Sequence, residues 1–65
     1  MSRNRLKEIR ESRLMSKAEL ARLAGVSAVT IDRIERGEEC RMETKRKILE
    51  ALKIALADRE KVFLD

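Results

Sequence analysis

Across residues 16–37 the apolar positions fall three and four apart, the period of an amphipathic helix, and two glycines divide the pattern into separate elements. Ser16 followed three residues later by Glu19 forms a capping box. The serine oxygen can accept from the third amide of the helix while the glutamate reaches back to the cap amide, so a helix starts near Lys17. At about 100° per residue, Leu20, Leu23 and Ala24 share one side of this helix and Ala18, Glu19 and Arg22 the other. Gly25 tolerates the left-handed backbone that ends a helix, Val26 turns inward, and Ser27 caps a second helix reaching about Arg36, which Gly37 terminates.

The same period predicts three further helices. One spans residues 4–13 with Leu6 and Ile9 inward. One spans 43–53 with Thr44, Ile48, Leu49, Ala51 and Leu52 inward. A short one over 57–64 directs Val62 and Phe63 at the core or at a partner, and Ile54 and Leu56 are expected to be buried. Residues 1–3 are expected to fray, and 38–41 read as a loop. The expected fold is all-α, a compact bundle of five short helices in a single domain over residues 1–65.

Two helices joined by a short glycine-containing turn make either a helix-turn-helix unit or a plain αα-hairpin. The outward face of the second helix favours the first: Ser27, Ile31 and Ile34 share one side, leaving Val29, Asp32, Arg33 and Arg36 opposite with Ala28 at the flank. Two charges stand at the margins of apolar stripes, Arg10 beside Leu6 and Glu35 beside Ile31. Either both snorkel to water, or they meet in a partly buried salt bridge, which is the favoured reading.

Leu20, Ala21, Gly25, Val26, Ile31, Ile34, Glu35 and Gly37 stand where the phage repressor and Cro (XRE-type) helix-turn-helix family has its characteristic residues, and the chain resembles that family over about residues 5–56. The resemblance implies a lambda repressor-like DNA-binding domain with the helix-turn-helix at about 17–36. The helix over 28–36 would lie in the major groove of double-stranded DNA. It assigns base readout to Ser27, Ala28, Val29, Asp32 and Arg33. Arg33 can bridge O6 and N7 of guanine, Ala28 and Val29 can touch a thymine methyl, and Asp32 can accept from a cytosine amino group or else pair with Arg36. Phosphate contacts fall to Lys17, Arg10, Arg36 and Arg41, with the Arg10–Glu35 pair also matching the family. A homodimer on a palindromic operator follows, and Val62, Phe63 and Leu64 are its candidate contact unless Phe63 is simply core. The chain departs from its relatives where they commonly have glycine. Leu14 disfavours positive φ, so the first helix is expected to run on by a residue or two, and Lys53 blurs the end of the fourth.

Composition narrows the function. Charged residues are 43% and aromatics 2%, with no apolar run long enough for a membrane span and no signal peptide, so a soluble, intracellular protein is expected, and the resemblance implies a cytoplasmic one of bacterial or phage type. With no histidine and a lone Cys40, the chain offers no disulfide, metal site or catalytic dyad, so neither an enzyme nor a bound cofactor is expected. Residues 1–36 carry nine Lys/Arg against five Asp/Glu, and 37–65 seven of each, so the whole +4 excess lies with the helix-turn-helix. Lys45, Arg46 and Lys47 either reach phosphates or form a solvated cluster. The expected function is sequence-specific binding of DNA by a small transcriptional regulator. The alternatives are a protein-interaction module, such as an antitoxin or phage adaptor, using the apolar tip at Val29, and a non-specific architectural DNA binder.

Overall fold

The computed structural model describes residues 3–64, and the expected fraying of residues 1 and 2 lies outside them. Its elements are α1 (Leu6–Ser12), α2 (Lys17–Ala24), α3 (Ala28–Glu35), α4 (Met42–Ala51) and a terminal 3-10 helix (Leu56–Lys61). All five predicted helices are present, without a strand among the described residues. Helix α2 packs on both α3 and α4, α3 also touches α1, and α4 touches the 3-10 helix.

Leu6, Leu20, Ile31, Ile48, Leu52 and Val62 are fully enclosed, so each α-helix and the segment after the 3-10 helix contribute to one core, while the 3-10 helix itself buries no residue. Removing such side chains from water is the main driving force for a chain this short. On α2 the buried residues are Leu20, Ala21 and Ala24, whereas Leu23, expected inward, is 62% exposed. Leu23 lies about 60° to one side of Leu20 and Ala21 about 100° to the other. The packed neighbours cover the Ala21 side. Two alanines there let helices approach closely, which a second leucine would prevent.

All four α-helices end in the same closed turn, in which two amides past the helix return to carbonyls of its last turn. After α1, Leu14 N donates to Glu11 O at 3.0 Å and Met15 N to Arg10 O at 3.1 Å. After α2, Gly25 N meets Arg22 O and Val26 N meets Ala21 O. Gly37 with Glu38, and Lys53 with Ile54, repeat the pattern after α3 and α4. The pivots have φ of 55° at Leu14, 73° at Gly25, 97° at Gly37 and 58° at Lys53. The expectation that Leu14 would prolong α1 is therefore wrong: Leu14 takes the left-handed conformation itself and α1 stops at Ser12. The compensation lies next door. Met15 packs against the core and its carbonyl accepts from Arg10 Nη1 at 2.8 Å, which holds the reversal in place.

The start of α1 also differs from its expected position. Asn4 is outside the helix, its Oδ1 accepting from Leu6 N at 3.1 Å and its Nδ2 donating to Ile34 O at 2.8 Å. It pairs with Phe63 in an antiparallel bridge, flanked by Arg5 N to Val62 O at 2.7 Å and Leu64 N to Arg3 O at 2.9 Å. This clasp pulls Val62 and Phe63 into the core, where both are buried. They are not available as the partner contact they were candidates for, and only Leu64 of that trio is exposed. Leu56 is also exposed rather than buried, because the last helix begins there in 3-10 form and turns that side chain outward.

Candidate nucleic-acid interface

The site is built on two capped helix starts. Ser16 Oγ accepts from Glu19 N at 3.0 Å while Glu19 Oε1 accepts from Ser16 N at 3.2 Å, so the capping box is closed and Lys17 opens α2. Ser27 Oγ accepts from Thr30 N at 3.1 Å and lies 2.9 Å from Thr30 Oγ1, which starts α3 and occupies the Ser27 hydroxyl in the cap. Between the helices, the left-handed Gly25 and the half-buried Val26 reverse the chain over three residues.

Helix α3 buries Ile31 and Ile34 and turns Ala28, Val29, Arg33 and Arg36 to solvent, with Val29 58% exposed. The second helix of a glycine-turn pair thus presents a face with an apolar tip and a guanidinium, anchored by two isoleucines behind it. A family model described as helix-turn-helix matches residues 6–58. The chain belongs to this helix-turn-helix family, of the XRE, Cro and phage-repressor type. It is a DNA-binding family with the lambda repressor-like fold seen here. No similar curated protein was found. No helix among the described residues is long and apolar enough to cross a membrane.

Within the helix-turn-helix, the residues assigned to DNA do not act one by one. Asp32, half-buried, accepts from Lys17 Nζ through Oδ1 at 2.5 Å and from Arg36 Nε through Oδ2 at 3.0 Å. The hydrogen bond from Lys17 foremost, with Arg36 adding to it, holds its carboxyl below the usual carboxylate range against the opposing effect of burial. Arg33 has no ion pair among the described residues, and with Arg41 it lines a shallow hollow of about 340 Å³ between α3 and the loop before α4. Arg41 is exposed at the start of α4, beside that hollow.

Arg10 stands elsewhere. It is 7% exposed, Nε donating to Glu35 Oε2 at 2.7 Å and Nη2 to Glu35 Oε1 at 3.2 Å, with Nη1 on the Met15 carbonyl. The hydrogen bonds to Glu35 raise its already high pKa further. Of its two assigned roles the geometry permits the salt bridge. As a phosphate contact it is corrected: a guanidinium with three of its N–H groups spent inside the fold and almost no open surface has nothing to offer a phosphate.

Lys45 is likewise seated inward, its Nζ 5.5 Å from the centre of the Phe63 ring, while Lys47 lies 3.9 Å from Glu43 and Arg46 stays exposed. Of that cluster only Arg46 is uncommitted among the described residues. Two residues that support the site escaped the sequence reading. Thr30 completes the α3 cap, and the Ser27/Thr30 spacing was a signal for it. Arg13 donates to the Leu52 carbonyl, tying the end of α1 to the end of α4, a contact that no local pattern marks. Cys40 packs half-buried against the core, and burial pushes its thiol pKa up.

Proposed function

We propose that the protein is a sequence-specific double-stranded DNA-binding regulator of transcription, with α3 in the major groove and α2 across the backbone. The observation that carries this reading is the outer face of α3, where Ala28, Val29 and Arg33, without an ion pair among the described residues, stand exposed directly behind a capped helix start. Arg33 reads guanine through its planar fork, Ala28 and Val29 meet thymine methyls, and Ser27 sits at the rim. Lys17, Arg36 and Arg41 engage phosphates, with the amides at the start of α2 assisting Lys17. The surplus of positive charge in residues 1–36 supports the same polyanionic partner.

One such helix spans few base pairs, so two copies act together on a palindromic site with half-sites about 34 Å apart. Since Val62 and Phe63 are core, the pairing surface is the open groove of about 510 Å³ between α4 and the 3-10 helix. Met42 and Leu56 supply its exposed apolar walls, with Arg46 and Arg59 among the residues that line it. Selection of bound duplexes from a random pool, followed by titration across salt, tests the reading. A palindromic motif is expected, with a log-log salt slope reflecting about 0.9 per displaced counterion. Retention of no duplex, or affinity that ignores both salt and sequence, overturns it.

A further inference from the structure

Asp32 is the carboxylate that α3 turns to its outer face, and it holds two cations at once. Lys17 comes from the start of α2, 15 positions earlier, and Arg36 from one turn further along α3. Each carboxylate oxygen takes one of them and keeps an acceptor direction to spare. The other acidic residue of α3, Glu35, faces inward on Arg10, so no second carboxylate on this helix shares the duty.

We infer that Asp32 couples base reading to phosphate contact, acting as a specificity-determining residue; the inference rests on the DNA reading proposed above. The three side chains form one unit with a net charge of +1. A cation held by a carboxylate 2.5 or 3.0 Å away is not free to displace a counterion from the duplex. On an arbitrary sequence, drawing Lys17 and Arg36 onto phosphates strips Asp32 of both partners and leaves it facing a polyanion. Like-charge juxtaposition of that kind is a standard way to reject wrong partners. On a site that presents an exocyclic amino group in the major groove, from cytosine or adenine, the carboxylate gains a donor as it gives up the cations. The penalty falls on every sequence and is offset only on some. Sequence preference then arises at Asp32 even though the attraction belongs to Lys17 and Arg36.

The test replaces Asp32 by its neutral isostere. Wild type and Asp32→Asn are titrated against the duplex selected by the wild type and against a scrambled duplex of the same composition. Asp32→Asn is expected to bind the scrambled duplex about three- to tenfold more tightly, with a salt slope steeper by about 1 to 2. Its affinity for the selected duplex stays level or falls, so the ratio of the two affinities shrinks. In a Lys17→Gln background, where only Arg36 remains to be released, the gain on the scrambled duplex is expected to be smaller. That background also serves if Asp32→Asn alone melts early, because the double variant leaves no unpaired lysine. Equal changes on both duplexes, or a ratio that widens, overturn the coupling while leaving the DNA reading intact. A wild-type protein that retains no duplex at all overturns the DNA reading, and this inference with it.

Discussion

Arg10 and Glu35, 25 positions apart, meet in a two-pronged contact, Nε to Oε2 at 2.7 Å and Nη2 to Oε1 at 3.2 Å, that locks α1 onto the end of α3. Both side chains are almost wholly out of water. Removing one partner strands a buried charge, at a cost of about 3 to 5 kcal/mol. Glu35→Ala should therefore melt far below Glu39→Ala, which removes only an exposed loop charge. Pairing Arg10→Met with Glu35→Leu should recover part of the loss, since an apolar pair strands no charge and leaves only the Met15 carbonyl without its donor. Coincident melting curves for the two alanine variants would show that the contact does not hold the fold.

The left-handed pivots give a second expectation of opposite sign at different positions. Leu14 is 91% exposed with φ of 55°, so glycine there relieves backbone strain without emptying any packing. Leu14→Gly and Lys53→Gly should each raise stability by about 0.5 to 1 kcal/mol in denaturant titrations. Gly25→Ala should lower it by about 1 kcal/mol although an added Cβ would meet nothing within 4 Å, because the cost is conformational and not steric.

Arg33 carries the sharpest statement about recognition. With no ion pair among the described residues and an exposed position on α3, its loss should leave the melting temperature nearly unchanged. Arg33→Ala should relax base preference at one position per half-site, a discrimination of about 1 to 3 kcal/mol, and Arg33→Lys should restore only part of it. Parallel selections with the three proteins decide the matter. Identical motifs of identical strength would mean that another residue reads that base.

Cys40 links burial to pH. Its thiol pKa is raised in the folded state, so the folded protein keeps a proton that the unfolded chain has already lost at mildly alkaline pH. The corresponding stability is fully present below the unfolded thiol pKa and is lost as pH rises toward the folded one. Alkylation by iodoacetamide at pH 8.5 should be slower for native protein than for protein in denaturant, and equal rates would place the thiol in solvent.

Signals that act within one helical turn were legible in the sequence. The Ser16/Glu19 box, the Ser27 cap and the two glycine stops are set by neighbours three or four residues away, and each stands where the pattern placed it. The Arg10–Glu35 contact was legible for another reason: each charge stood at the edge of an apolar stripe, where it either snorkels or pairs, and the resembled family has a pair at matching positions. The exchange of Leu23 for Ala21 was not. A helical wheel tells which residues share a side but not which side the neighbours cover. Leu14 was misjudged because propensity argued against positive φ, and the boundary at Lys53 was left open; at both, hydrogen bonds closed by the following residues set the left-handed turn. The Lys17–Asp32 contact joins two helices across a turn, and no periodicity reports on it.

The bridge between Asn4 and Phe63, with its flanking hydrogen bonds from Arg5 to Val62 and Leu64 to Arg3, has a topological consequence. The first and last described segments lie side by side as neighbouring strands do, about 5 Å apart, so the path from Arg3 to Leu64 nearly closes on itself. A circular permutant that joins these segments through a short glycine linker and opens the backbone in the exposed stretch at Glu38 and Glu39 should fold to the same structure. In that permutant α4 would precede α1 in the chain, with every helix still in its place.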